Sequence, residues 1–153
     1  MDLKIAIVNS SSFGRIFPEH IEKLKKIGYV ERFDLPKDMK GKELAEKLMG
    51  FSIIIASVTA LYDKEFFDYK DDTLLISRHG IGYNNIDINA ATEKGTLVTK
   101  VSAEVEREAV AENAVALLMD TIRQTSKAAM KAKEGKWMER AKFIGYEVKD
   151  KTV

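Results

Sequence analysis

Gly80-Ile81-Gly82 lies between an apolar run, Leu74 to Ser77, and an amphipathic stretch, Asp87 to Lys94. Glycines at a strand-to-helix turn let the backbone close tightly and bring amide N–H groups up to a ligand. A third glycine of a dinucleotide fingerprint would fall at Asn85, so this is not that fingerprint. Taken alone, Gly-x-Gly is equally a tight βα turn. His79 adjoins it and is one of two histidines in the chain. No carboxylate partner can be assigned to it, which favours a pocket or structural role over that of a general base. His20 falls on an amphipathic helix and reads as solvated. Glu104, Glu108 and Glu112 share a helix face but no histidine joins them, so they read as favourable charge at a helix start, not a metal site. Asn9 to Gly14, NSSSFG, reads as a polar turn, and Lys127, Lys131, Lys133 and Lys136 as a solvated helix face.

Composition removes several chemistries. There are no cysteines, which excludes disulfides, a thiolate nucleophile and a Cys-ligated zinc. The chain has 25 Lys plus Arg against 24 Asp plus Glu, which gives no electrostatic reason to propose nucleic acid or an anionic membrane as partner. No apolar stretch reaches the roughly 18 residues of a membrane span, and the default location is the cytoplasm.

The elements that must position Gly80 alternate. Strands are expected over Leu3–Asn9, Tyr29–Leu35, Ser52–Ser57, Leu74–Ser77 and Leu97–Val101. Helices are expected over Pro18–Ile27, Gly41–Met49, Asp63–Tyr69 and Asp87–Lys94. Ile53-Ile54-Ile55 is the continuous apolar run of a strand buried on both faces. The alternation predicts an α/β class: a flavodoxin-like, five-stranded parallel sheet in the order 2-1-3-4-5. Ligands of such sheets meet the carboxyl ends of the strands, where Asn9–Gly14, Ser57–Ala60, Arg78–Asn85 and Ser102–Glu108 should converge. One long helix follows, from about Ala103 to Glu134, without Pro or Gly and apolar almost all round at its centre. It should be buried on more than one side, by another domain or another chain.

The longer string Arg78-x-Gly80-Ile81-Gly82-Tyr83-Asn84-Asn85-Ile86-Asp87, followed by Ala90-Ala91-Thr92-Glu93-Lys94-Gly95, strongly resembles the D-isomer-specific 2-hydroxyacid dehydrogenase family. That family includes phosphoglycerate dehydrogenase, glyoxylate reductase, formate dehydrogenase and D-lactate dehydrogenase. Ala109-Val110-Ala111-Glu112-Asn113-Ala114 and Gly135-Lys136-Trp137 are similar to two further family blocks, at fitting spacing. The resemblance implies a substrate-binding domain over 1–101, a dimerisation and interdomain helix over 102–136, and over 137–153 a linker and the start of an NAD-binding domain's first strand. It implies that Ile81 and Gly82 present amides to a substrate carboxylate, and that Arg78 helps to hold the anion. Ser57, Val58 and His79 would line the pocket, and Ile81 would also lie against the nicotinamide of NAD or NADP.

The implied partners are a small 2-hydroxy or 2-oxo acid and a second copy, joined through the 103–134 helix. The Arg, Glu and His that carry the family's chemistry, and its Gly-x-Gly-x-x-Gly loop, are expected beyond Val153, so the chain alone should be inactive and should not bind NAD tightly. Two departures bear on substrate. Ala56 stands where phosphoglycerate dehydrogenases tend to carry a phosphate-binding Arg, and Ala103–Glu108 is acidic where the family loop is small. The alternative is a non-enzymatic flavodoxin-like module that binds a small anion or dimerises.

Overall fold

The computed structural model describes residues 3–152. It divides into two compact units, Met1–Ser102 and Ala103–Val153. In the first, five strands alternate with four helices: β1 Leu3–Val8, α1 Glu19–Lys25, β2 Gly28–Phe33, α2 Gly41–Lys47, β3 Ile53–Ala56, α3 Lys64–Tyr69, β4 Leu75–Arg78, α4 Ile88–Glu93 and β5 Leu97–Lys100. All pairings are parallel and the order is β2-β1-β3-β4-β5, as the alternation predicts.

Strand alternation sends side chains to two faces. Ala6, Val8, Ile54, Ala56 and Ile76 enter one core with Leu44, Ala45 and Leu48 of α2, Phe66 and Phe67 of α3, and Ala90 and Ala91 of α4. Ile5, Ile7 and Ile55 form a second core with Ile21 and Leu24 of α1. The Ile53–Ile55 run is therefore apolar because the middle of the sheet is covered on both sides. Two short helices start on aspartate caps: Asp63 Oδ1 accepts from Phe66 N at 2.9 Å and Asp87 Oδ1 from Ala90 N at 3.0 Å. Each satisfies a helix-start amide that has no partner within its helix.

Tyr62 is fully buried, its ring edge-on to Phe66 at 5.1 Å between centroids, and its hydroxyl has no hydrogen-bond partner. Burial pushes the phenol well above its ordinary value of 10.0. The folded state thus holds the proton where the unfolded chain has lost it. This contribution to stability is complete below about pH 10 and is lost as pH rises above it. Tyr62→Phe removes the orphaned hydroxyl and should leave the protein as stable or about 1 kcal/mol more stable at neutral pH. Urea titrations at neutral and alkaline pH should also show a smaller alkaline loss in the variant; an equal loss would refute the assignment to Tyr62.

The second unit departs from the sequence expectation. The single helix expected over 103–134 is broken: α5 runs Ala103–Arg123 and α6 Thr125–Lys133, with Gln124 between them at φ 53°. Asp120 explains the break. Its Oδ1 accepts from Ser126 N at 2.7 Å and from the Thr125 hydroxyl, which caps a new helix start and holds the carboxyl below the usual carboxylate range. The returning chain covers the end of α5: Tyr146 N donates to Ile122 O at 3.2 Å. Gly145 permits that approach, since a Cβ there would stand 2.4 Å from Ile122 O.

A short 3₁₀ helix, Trp137–Lys142, precedes this return. No residue of α5 or α6 is buried, and Val105, Val110, Val115 and Leu117 are exposed. Within 137–153, where a linker and the start of a further strand are expected, the described residues form no strand. Asp150 turns the chain at φ 59°, and Lys151 N donates to Val148 O. Val153 lies outside the described residues. No helix among the described residues is long and apolar enough to cross a membrane.

Candidate functional site

At the carboxyl end of the sheet, β4 runs out on Arg78, paired in register with Ala56 of β3 and Lys100 of β5. Arg78 is only 6% exposed. Its Nη1 donates to the His79 carbonyl, while its buried Nε has no partner. Gly80 makes room for this guanidinium. The glycine sits at φ 143°, and a Cβ there would come 2.5 Å from Nη1 and 3.1 Å from Cζ. Glycine is thus required twice at this position, by backbone conformation and by space. Gly82 differs: a Cβ there would meet nothing within 4 Å. The Ile81 and Gly82 amides make no hydrogen bond among the described residues.

A second loop faces this turn. Asn85 Nδ2 donates to Ser57 O at 3.1 Å and to Ala60 O at 3.0 Å, and Tyr62 N donates to Asn85 O at 2.8 Å. One side chain thus clips the segment after β3 to the segment after β4. Asn9, at φ 53°, ties the same loop to the segment after β2: its Nδ2 donates to Thr59 Oγ1 at 3.0 Å and its Oδ1 accepts from Leu35 N at 2.7 Å. Between the loops lies a cleft of about 370 Å³ lined by Val58, Leu61, Arg78, Gly82, Asn84 and Asn85. That is the low end of the roughly 300–1,000 Å³ usual for ligand sites.

Of the residues expected from sequence, Val58, Arg78 and Gly82 meet in this cleft. Ser57 stands behind it, its carbonyl engaged by Asn85. Ile81 is half-buried beside Gly82. His79 faces elsewhere: its Nδ1 lies 3.2 Å from the Ser10 hydroxyl and its ring is edge-on to Phe13 at 5.3 Å. It lines a separate cleft of about 240 Å³ with Phe13, Phe17 and His20. His20 is half-buried there, not solvated, because Phe13 and Phe17 flank its ring at 5.9 and 5.6 Å. Leu61, Asn84 and Asn85 were missed in the sequence. The available signal was the Asn pair just before the Asp87 cap, since a loop amide with two donors demands carbonyl partners. Asn85 is committed to those carbonyls and also stands at the third-glycine position, so this turn is no pyrophosphate cradle. Among the described residues no three His, Cys, Asp or Glu side chains are grouped to hold a metal ion.

These features place the first unit among the flavodoxin-like α/β domains, whose ligands meet the carboxyl ends of the strands. The chain belongs to the D-isomer specific 2-hydroxyacid dehydrogenase family, whose catalytic domain matches residues 6–146. It is 33% identical over 137 residues to a D-3-phosphoglycerate dehydrogenase of Archaeoglobus fulgidus, covering 90% of this chain and 25% of that protein. It is 30% identical over 146 residues to a glyoxylate reductase of Thermococcus kodakarensis, covering 91% of this chain and 44% of that one. The apo-structure of D-lactate dehydrogenase from Escherichia coli superposes with a TM-score of 0.77 at 21% identity, over 94% of this chain and 44% of that one; at that identity the likeness is one of fold. The chain spans less than half the length of each.

Proposed function

We propose that this chain is the substrate-holding part of an NAD(P)-dependent oxidoreductase that interconverts a D-2-hydroxy acid and its 2-oxo acid. The observation that carries the reading is the buried Arg78 under the Gly80–Gly82 turn, at the mouth of a small cleft and beside two amides without acceptors. Adjacent main-chain amides bind a planar carboxylate without a flexible side chain to order. A guanidinium nearby adds charge where water is partly excluded, so the interaction is screened less than at the surface. Val58 and Ser57 belong to the facing loop, and Asn85 keeps that loop at a fixed distance from the turn.

The nicotinamide cofactor, when bound, supplies or takes the hydride at the substrate's second carbon. In this chain Ile81 is the residue assigned to its face. The Arg that orients the substrate carbonyl and the His–Glu pair that moves the proton are not assigned to residues of this chain. The 103–134 region is assigned to a homodimer; the exposed Val105, Val110, Val115 and Leu117 of α5 support this. Titrating the chain with pyruvate, followed by amide NMR, tests the substrate site. Shifts confined to Gly80, Ile81, Gly82 and the Arg78 guanidinium, and abolished in Arg78→Met, are expected. Shifts that persist in a folded Arg78→Met variant would overturn the assignment.

A further inference from the structure

The geometry points to a substrate with a single anionic group: a short 2-oxo or 2-hydroxy acid whose substituent is uncharged and apolar, not a phosphorylated acid or a dicarboxylate. This rests on the reading that the substrate occupies the cleft beside Gly82. Among the described residues that line the cleft, Arg78 alone is charged. Part of it is already committed, because Nη1 serves the His79 carbonyl. Of its two register partners, Ala56 is fully buried and too short to bring a second cation, and Lys100 does not line the cleft. The amide nitrogen of Asn85 is committed to two carbonyls, which leaves Asn84, at the exposed edge, as the neutral side-chain donor. The remaining wall is Val58 and Leu61.

One carboxylate finds the turn amides and Arg78. A second anionic group would face valine, leucine and a neutral amide, and would lose water without gaining a cation. A methyl or ethyl substituent meets those same two side chains with a gain, roughly fourfold in affinity for each methylene removed from water. The charge inventory, not the volume, makes the discrimination.

The test compares pyruvate, 2-oxobutyrate, 2-oxoglutarate and D-3-phosphoglycerate by NMR titration of this chain, read at the Gly80, Ile81 and Gly82 amides. The two monocarboxylates should bind, 2-oxobutyrate the tighter, and the two multiply charged acids at least about tenfold more weakly. Val58→Arg puts a cation on a side chain that is 66% exposed, and so should fold; it should narrow that gap. Equal or tighter binding of 2-oxoglutarate or D-3-phosphoglycerate to the unmodified chain would overturn the substrate class and leave the substrate site standing. If none of the four acids moves the three amides, the substrate-site reading itself falls.

Discussion

Gly80→Ala should lower the stability of the first unit by roughly 2–4 kcal/mol, far more than one added methyl group would cost at a surface turn. Two costs combine. A φ of 143° belongs to a region that only glycine adopts freely, and forcing alanine there costs on the order of 1–3 kcal/mol. The new Cβ would also stand 2.5 Å from Arg78 Nη1, so the guanidinium must leave the His79 carbonyl or the turn must open. Arg78 is only 6% exposed, so its side chain has little room in which to retreat. Arg78→Met in the same chain removes the second cost and leaves the first. The double variant should therefore lose less than the two single variants summed, with a coupling of about 1 kcal/mol or more in urea unfolding. Gly82→Ala is the control two residues away. Beyond its two chain neighbours, no described residue lies within 4 Å of that Cβ, so stability should change by no more than about 0.5 kcal/mol. Additive losses at Gly80 and Arg78 would show that the glycine serves backbone conformation alone.

The same pair of glycines shows what a sequence can and cannot disclose. That Gly80 and Gly82 close a βα turn was legible from the apolar run before them and the Asp87-capped helix after them. The sheet was legible for the same reason: apolar runs of strand length alternated with short helices, and parallel order follows from that alternation. That the two glycines have different jobs was not legible, because one is set by a guanidinium folded back beneath it and the other by open space. His79 lies outside the cleft lining because adjacency in sequence to Arg78 is not adjacency in the cleft. Successive residues at a strand end point to opposite sides, so the neighbour of a cleft arginine turns toward Phe13 and Ser10. Asn85 was missed because its partners, Ser57 and Ala60, are 28 and 25 residues away. The break at Gln124 had a local cause, Asp120 against Thr125 and Ser126, but the surrounding residues keep helical periodicity across it. Periodicity reports which face is apolar and is blind to a cap that restarts the helix one residue later.

Phe66→Ala should be the most damaging single change, at about 3–5 kcal/mol, a large part of the roughly 5–15 kcal/mol available to an ordinary domain. Phe66 is fully buried, edge-on to Tyr62 and to Phe67, each at 5.1 Å between centroids. Removing the ring forfeits its transfer from water and leaves a cavity in the core that it shares with Leu44, Leu48 and Ile76. The damage should reach the cleft. Tyr62 loses the aromatic partner that fixes its ring, and Tyr62 N and O are bonded to Asn85 O and Asp87 N, both at 2.8 Å. Hydrogen exchange at Tyr62 and Asp87 should therefore accelerate in Phe66→Ala even where the protein remains folded, and pyruvate-induced shifts at Gly82 should weaken. Phe66→Leu retains most of the volume and should cost less than half as much. A Phe66→Ala variant with a lower urea midpoint but unchanged protection at Tyr62 and Asp87 would mean that the helical layer under α3 stabilises the sheet without positioning the cleft. The expected result is that it does both, because a path from α3 to the loops around the cleft runs through Tyr62 and Asn85.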